Sequence, residues 1–352
     1  MRGPVWRGAR NNCHSYYVVN PTLVITFINS CTGVHPFWVS TVTMLIEGQH
    51  HIFPYTEEDK QMVKKETGLK DSVLDEDIDA VLQWFKKQPH LAEAPIEREI
   101  IEKILVVSKG SREKTKNRID NFYKYRALAP ELVQSRVELL SKPDEKIWTF
   151  FGQGIIPKLY DGKRISFIHF NSDASSFDSE IMYRNIILTV DLRLKYDYIF
   201  GEIWIIDLNN TGLGHLMRMN PMIVQKAVNM YQESMGIRVK QIHCINAPIF
   251  GHHVVNFMKK FVKAKMIERV IIHDSIESLH RQVPKEYLPK EYGGDQPTLK
   301  EFTENLEKEI RNEKTKEMLL DYCKIVSDES KRLRDKYDED CIVGSFKKLD
   351  FD

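Results

Sequence analysis

The sequence predicts an α/β domain with parallel strand pairing, set behind a small all-helical module. Apolar residues recur at helical spacing from 75 to 141, and from Trp148 onward strand-like runs alternate with helical ones. The run Ile203-Trp204-Ile205-Ile206-Asp207-Leu208 is short and apolar on both parities, the pattern of a strand covered on both faces.

In the helical part, Ile78, Val81, Leu82 and Phe85 fall at i, i+3, i+4 and i+7, and Gln88-Pro89 ends the run. Ile96, Ile100, Ile101, Ile104 and Leu105 repeat the pattern up to Lys109-Gly110. Ser111 is placed to cap a helix bearing Ile119, Phe122 and Tyr123 on one face. Pro130 starts a short helix through Leu140.

In the α/β part, Asp161-Gly162 marks a turn before the strand Ile165–Phe170. A helix follows from about Ser179 to Lys195, then the strand 203–208. Pro221 opens a helix to about Met235, and Val239–Asn246 is a third strand. Ala247-Pro248 breaks it before an amphipathic helix from Phe250 to Lys263, and Val270–His273 is a short fourth strand. After Pro297 a Lys- and Glu-rich tail reads as helical and solvated to about Lys336.

Composition narrows the function classes. Lys+Arg 51 against Asp+Glu 50 leaves a net charge of +1, so no global field draws the chain to nucleic acid or membrane. Five cysteines, scattered and without CxxC, argue against a disulfide framework or structural zinc and fit a reducing, cytoplasmic setting. No apolar run reaches the length of a membrane span. The first 43 residues stand apart: Arg2, Arg7 and Arg10 precede an apolar stretch, Tyr16–Ile28, broken by Asn20 and Pro21. Ser30-Cys31-Thr32-Gly33 after it allows a signal peptide; the other reading is a disordered or non-native extension with Met44 as the start.

No catalytic constellation emerges. Asp207-Leu-Asn-Asn-Thr-Gly212-Leu-Gly214 follows a strand, but Met217 stands where a dinucleotide loop needs its third glycine. His243, His252, His253 and His273 lack ligand spacing, and no metal or cofactor is expected. What exceeds ordinary need is apolar surface. Phe250, Val254, Val255, Phe257, Met258, Phe261 and Val262 surpass the stripe of a surface helix, reading either as a core helix or as a lid over an apolar cavity.

Several stretches resemble the CRAL-TRIO lipid-binding family, close to its alpha-tocopherol transfer protein-like members of insects. They are Ile205-Ile206-Asp207-Leu208 with His215 and Pro221, Arg238–His243, Ile245-Asn246-Ala247-Pro248 and Phe261–Arg269 leading to His273. Leu288-Pro289-Lys290-Glu291-Tyr292-Gly293-Gly294 closes the series, and Ser111–Arg126 resembles the family's N-terminal helices. The resemblance spans about 75–297. It implies a β-sheet floor with surrounding helices, a gating helix near Phe250–Ala264, and one enclosed lipid. The implied domains are a helical CRAL-TRIO N-terminal module at 44–141, the lipid-binding domain at 142–297 and a charged helical tail at 298–352.

The resemblance also implies pocket residues: Phe167, Tyr183, Ile187, Val190, Ile206, Ala227, Tyr231, Ile242 and Ile245, with Phe250, Val254, Phe257, Met258 and Phe261 from the gate. Arg238, Lys240, Lys265, Arg269 and Lys109 match a basic cluster that binds phosphoinositide headgroups in some members; a solvated charged face is the alternative. Departures are Leu105-Val106-Val107 for the usual Phe-Leu-Arg, Lys259-Lys260-Phe261 for Lys-Pro-Phe, and Asn209-Asn210-Thr211 for the glycine after Asp207-Leu208. Ile186 and Val190 stand where tocopherol carriers have polar pocket groups. The implied function is a non-enzymatic cytoplasmic carrier of a tocopherol-, retinoid- or phospholipid-like cargo, meeting membranes transiently. A lipid-sensing module that recruits a protein partner is the competing reading.

Overall fold

The computed structural model describes residues 14–20, 23–28, 50–235, 238–249 and 251–333. One unit, residues 1–50, contains an antiparallel pair of strands, His14–Asn20 (β1) and Leu23–Ile28 (β2). Otherwise the expected extension over 1–43 lies outside the described residues, as does Phe250. The other unit, 51–352, holds everything below.

Its helical part comprises Glu57–Thr67 (α1), Asp71–Lys86 (α2), Arg98–Val107 (α3), Arg112–Ala127 (α4), Pro130–Val133 (α5) and Arg136–Ser141 (α6). Local chemistry sets the ends. Thr56 and Asp59 form a reciprocal capping box, Gly68 closes α1 in the left-handed region, and Ser111 caps α4. The first helix precedes the stretch read as helical from sequence. The single helix expected from Pro130 to Leu140 is two short ones, parted at Gln134-Ser135.

Phe151–Ile155 (β3), Lys163–Phe170 (β4), Gly201–Asp207 (β5), Val239–Ile245 (β6) and Val270–Ile272 (β7) form one sheet in the order β3-β4-β5-β6-β7. The pairings from β4 to β7 are parallel, as expected; β3 is an antiparallel edge that the sequence reading missed. Ser179–Tyr196 (α7) is the crossover from β4 to β5, capped by Asp178. Leu213–Met217 (α8) and Pro221–Asn229 (α9) lead toward β6, and α9 runs into a π-helical turn, Met230–Met235. Gly251–Met258 (α10), Ala264–Ile267 (α11) and Ile276–His280 (α12) complete the domain. The expected gating helix is thus shorter than 250–263. After Met258 the chain turns, and Lys259, Lys260, Lys263 and Lys265 crowd like charges into what would be adjacent turns.

Leu299–Arg311 (α13) and Glu313–Tyr322 (α14) correct the picture of a solvated tail. Leu299, Phe302, Leu306 and Ile310 form a stripe buried on the domain, because α13 lies directly on β3. A Cβ at Gly152 would meet Thr303 Oγ1 at 2.6 Å, and one at Gly154 would meet Phe302 Cβ at 2.9 Å. Only glycine admits that approach.

The two faces of the sheet differ. Ile165, Phe167, Ile203, Ile205 and Ile245 pack against Leu279, Tyr287, Tyr292 and Phe302 in one core. Ser166, Ile168, Glu202, Trp204 and Ile242 point to the other face, under α7. Asp191 of α7, fully buried, joins the helical part to the domain: it accepts from Arg126 Nη1 at 2.8 Å and from Arg136 Nη1 at 2.7 Å. Among the described residues no helix is long and apolar enough to cross a membrane.

Replacing Asp191 with Ala leaves two guanidinium groups in the interior with one counter-charge removed. Such losses cost about 3–5 kcal/mol. The expected outcome is a correspondingly lower urea midpoint, read by circular dichroism.

Candidate functional site

Two cavities adjoin α7. The first lies between the helix and the sheet, walled by Gln153, Ser166, Ile168, Ile186, Thr189, Val190, Arg193, Glu202, Trp204 and Tyr231. It leaves about 20 Å³ for the centres of water-sized spheres, little more than one water needs. One dominant apolar chamber was the sequence expectation; the space here is small and its wall is partly polar.

A chain of buried charges makes it so. Glu202 is paired with Arg193, and its second oxygen accepts from Trp204 Nε1 and, at 2.7 Å, from the Tyr231 hydroxyl. Arg193 Nη2 also donates to Ser166 Oγ at 2.8 Å, and Thr189 Oγ1 donates to Gln153 Oε1 at 2.9 Å. Arg164 holds Asp197 at 3.0 and 2.6 Å and donates to the carbonyl of Pro54. Two cations and two anions balance, which burial at this depth requires. Burial pushes the Tyr231 hydroxyl above the usual tyrosine range, so it stays a donor to Glu202.

The second cavity lies between α3, the C-terminal turns of α7 and the start of β5. It measures about 50 Å³, and Val190 and Arg193 face both spaces.

The expected pocket residues divide. Val190 and Tyr231 line the first cavity, and Ile206 and Ile242 share its face of the sheet. Phe167 and Ile245 are corrections. The strand alternation turns them to the opposite face, where Phe167 sits 6.0 Å from the Tyr292 ring and 6.4 Å from Phe302. Ile187 and Ala227 fill the contact between α7 and α9, with Tyr183 at its margin. Val254, Phe257, Met258 and Phe261 are half-buried and join none of the apolar cores formed by the described residues, although the Phe257 and Phe261 rings meet at 5.0 Å. Gln153, Ser166, Thr189, Arg193, Glu202 and Trp204 went unread. A carboxylate at Glu202, in register with Trp204 and Ile206 in an apolar strand, was the available signal.

Of the basic cluster, four residues converge. Arg238 Nη2 donates to the Val107 carbonyl at 2.9 Å, Arg269 Nη1 donates to the Val239 carbonyl, and Lys240 Nζ lies 4.2 Å from the Phe200 ring centroid. Burial, and then the charges of Arg238, Arg269, Lys163 and Lys109, hold the Lys240 ammonium below the usual lysine range. Lys265 is exposed on α11 and is not among those charges. Among the described residues none of the four has a carboxylate partner.

His243 and His273 form a stacked pair. Nδ1 of His243 meets Nε2 of His273 at 2.8 Å, and His273 Nδ1 meets Ser278 Oγ at 2.6 Å. His243 Nε2 is buried without a partner among the described residues.

Residues 164–294 match the CRAL/TRIO domain family, and residues 70–137 match the Pinta-like UBA domain. Over 114 residues the chain is 31% identical to human alpha-tocopherol transfer protein-like, covering 32% of this chain and 33% of that one. Over 130 residues it is 30% identical to rat clavesin-1, covering 36% and 37%. The matched stretch thus spans about a third of the length of these relatives. The crystal structure of Sfh5 superposes on 70% of this chain and 91% of its own with a TM-score of 0.39 and 11% identity, too loose to bear weight.

Burial, and then His273, lower the pKa of His243 from 6.5 to about 4. The unfolded chain therefore binds more protons below about pH 6.5, and stability present above that value declines as pH falls toward 4. Urea unfolding at pH 7.5, 6.5 and 5.5 is expected to show this decline, with a shallower one in His243→Gln.

Proposed function

We propose, from the premise that residues 164–294 form a CRAL/TRIO domain, that this chain is a lipid carrier that performs no chemistry of its own. It encloses one hydrophobic molecule on the α7 face of the sheet and hands it between membranes from the cytoplasm, meeting them transiently. The observation that carries this reading is the unequal cover around that face. Helix α7 is locked by buried ion pairs, whereas Val254, Val255, Phe257 and Met258 of α10 join no apolar core among the described residues. A helix seated so loosely opens at small cost, and cargo burial supplies about 0.8 kcal/mol per CH₂. The hydrogen-bonding wall of Gln153, Thr189, Glu202 and Tyr231 suits the polar end of a tocopherol-, retinoid- or phospholipid-like lipid.

The cluster of Arg238, Lys240, Arg269 and Lys109, without a carboxylate partner among the described residues, supports a second contact, with the headgroup of a membrane phosphoinositide. Multiply charged phosphate answers several converging cations at once.

The segment after α10 touches the π-helical turn, where Lys263 Nζ meets Glu233 Oε1 at 2.6 Å. A disulfide between Gln232→Cys and Lys263→Cys is expected to stop lipid transfer between vesicles while preloaded lipid stays bound, with the rate restored by reductant. Transfer at the unaltered rate in the oxidised form would place the opening elsewhere. For the headgroup, Lys240→Glu with Arg269→Glu is expected to weaken binding to phosphoinositide vesicles at least about tenfold, most at low salt. Co-sedimentation reads it.

A further inference from the structure

Beside the basic cluster lies the second cavity, a half-open slot between α3 and the start of β5. Ile104, Val106 and Val107 line one side, and Val190, Leu194 and Phe200 the other. The charges on its rim do not cancel. Asp197 is held by Arg164, and Arg193 by Glu202. Lys103 and Arg238 remain, and each donates to a backbone carbonyl, of Lys195 and Val107 respectively. Lys240, just outside, rests over Phe200. Cations withdrawn from water beside apolar walls, with carbonyls and a ring as their partners, favour an anion that brings its own apolar part. Burial holds the Lys103 ammonium down to about 8, the direction a nearby anion would reverse.

We propose that this slot seats the apolar start of an anionic lipid whose phosphate headgroup lies on Arg238 and Lys240. The inference rests on the headgroup reading above and extends it: the membrane lipid is partly drawn out of the bilayer. Complementarity of charge selects the occupant, and the slot's size limits the buried part to a few methylenes. Burying two of them corresponds to about a tenfold gain in affinity.

Isothermal titration with inositol trisphosphate and with a short-chain, water-soluble phosphatidylinositol bisphosphate separates the two claims. The lipid is expected to bind about tenfold more tightly than the free headgroup. Val107→Phe, which fills the slot and leaves the Val107 carbonyl in place, is expected to bring the lipid down to the headgroup's affinity. Val107→Leu is expected to give an intermediate loss and decides the matter if the larger side chain lowers the melting temperature. Equal binding of both ligands to the unaltered chain overturns the slot alone. So does a lipid advantage that survives the filled slot, since an advantage arising in the cargo space would survive it. Failure of both ligands to bind overturns the headgroup reading and the slot with it.

Discussion

Asp191 sits fully buried between two arginines from different helices, and the arrangement of the domain turns on it. Arg126 lies on α4 and Arg136 on α6, so one carboxylate on α7 fixes the helical part against the sheet domain. The excess positive charge is spread over backbone carbonyls: Arg126 also donates to Ile325 and Tyr322, and Arg136 to Val133. Residues beyond α14 are thereby tied to the same centre. A buried ion group of this kind is a weak source of net stability but a strict selector of geometry, because a misdocked helix would strand a charge.

The second charged chain, Arg164-Asp197-Arg193-Glu202, follows from the first. With α7 fixed, its C-terminal turns must lie against the starts of β4 and β5, and the charges there have to be answered in place. The result is a polar floor under an otherwise apolar face. That floor keeps the first cavity small and gives it hydrogen-bonding groups, where a purely aliphatic wall would distinguish little beyond size.

Much of this was legible in the sequence and some was not, for identifiable reasons. The strands β4 to β6 and their parallel order follow from alternation of short apolar runs with helices, and the resemblance pointed to the CRAL/TRIO domain that residues 164–294 match. Edge strand β3 escaped because Gly152 and Gly154 remove the side chains that would mark it. The tail looked solvated because lysines and glutamates outnumber the stripe of Leu299, Phe302, Leu306 and Ile310. The resemblance puts Phe167 and Ile245 in the pocket, but strand parity turns them to the face of the sheet opposite α7. The pairings of Arg126 with Asp191 and of Arg193 with Glu202 join residues from different elements, and no local pattern announces them. Of the basic residues that the resemblance singles out, Arg238, Arg269 and Lys109 lie near enough to Lys240 to act on its charge, whereas Lys265 does not.

The π-helical turn at Met230–Met235 carries one more residue than an α-helical path would need. It lets α9 bury Ile223 and Ala227 against α7 while still bringing the Tyr231 hydroxyl to Glu202. A chain one residue shorter here would run as a plain helix, and every side chain after the deletion would swing by about 100° relative to those before it. The length of this segment therefore matters as much as its letters. A relative with identical residues on both sides but a single-residue gap would present a differently answered carboxylate to the first cavity, a difference that percentage identity does not register.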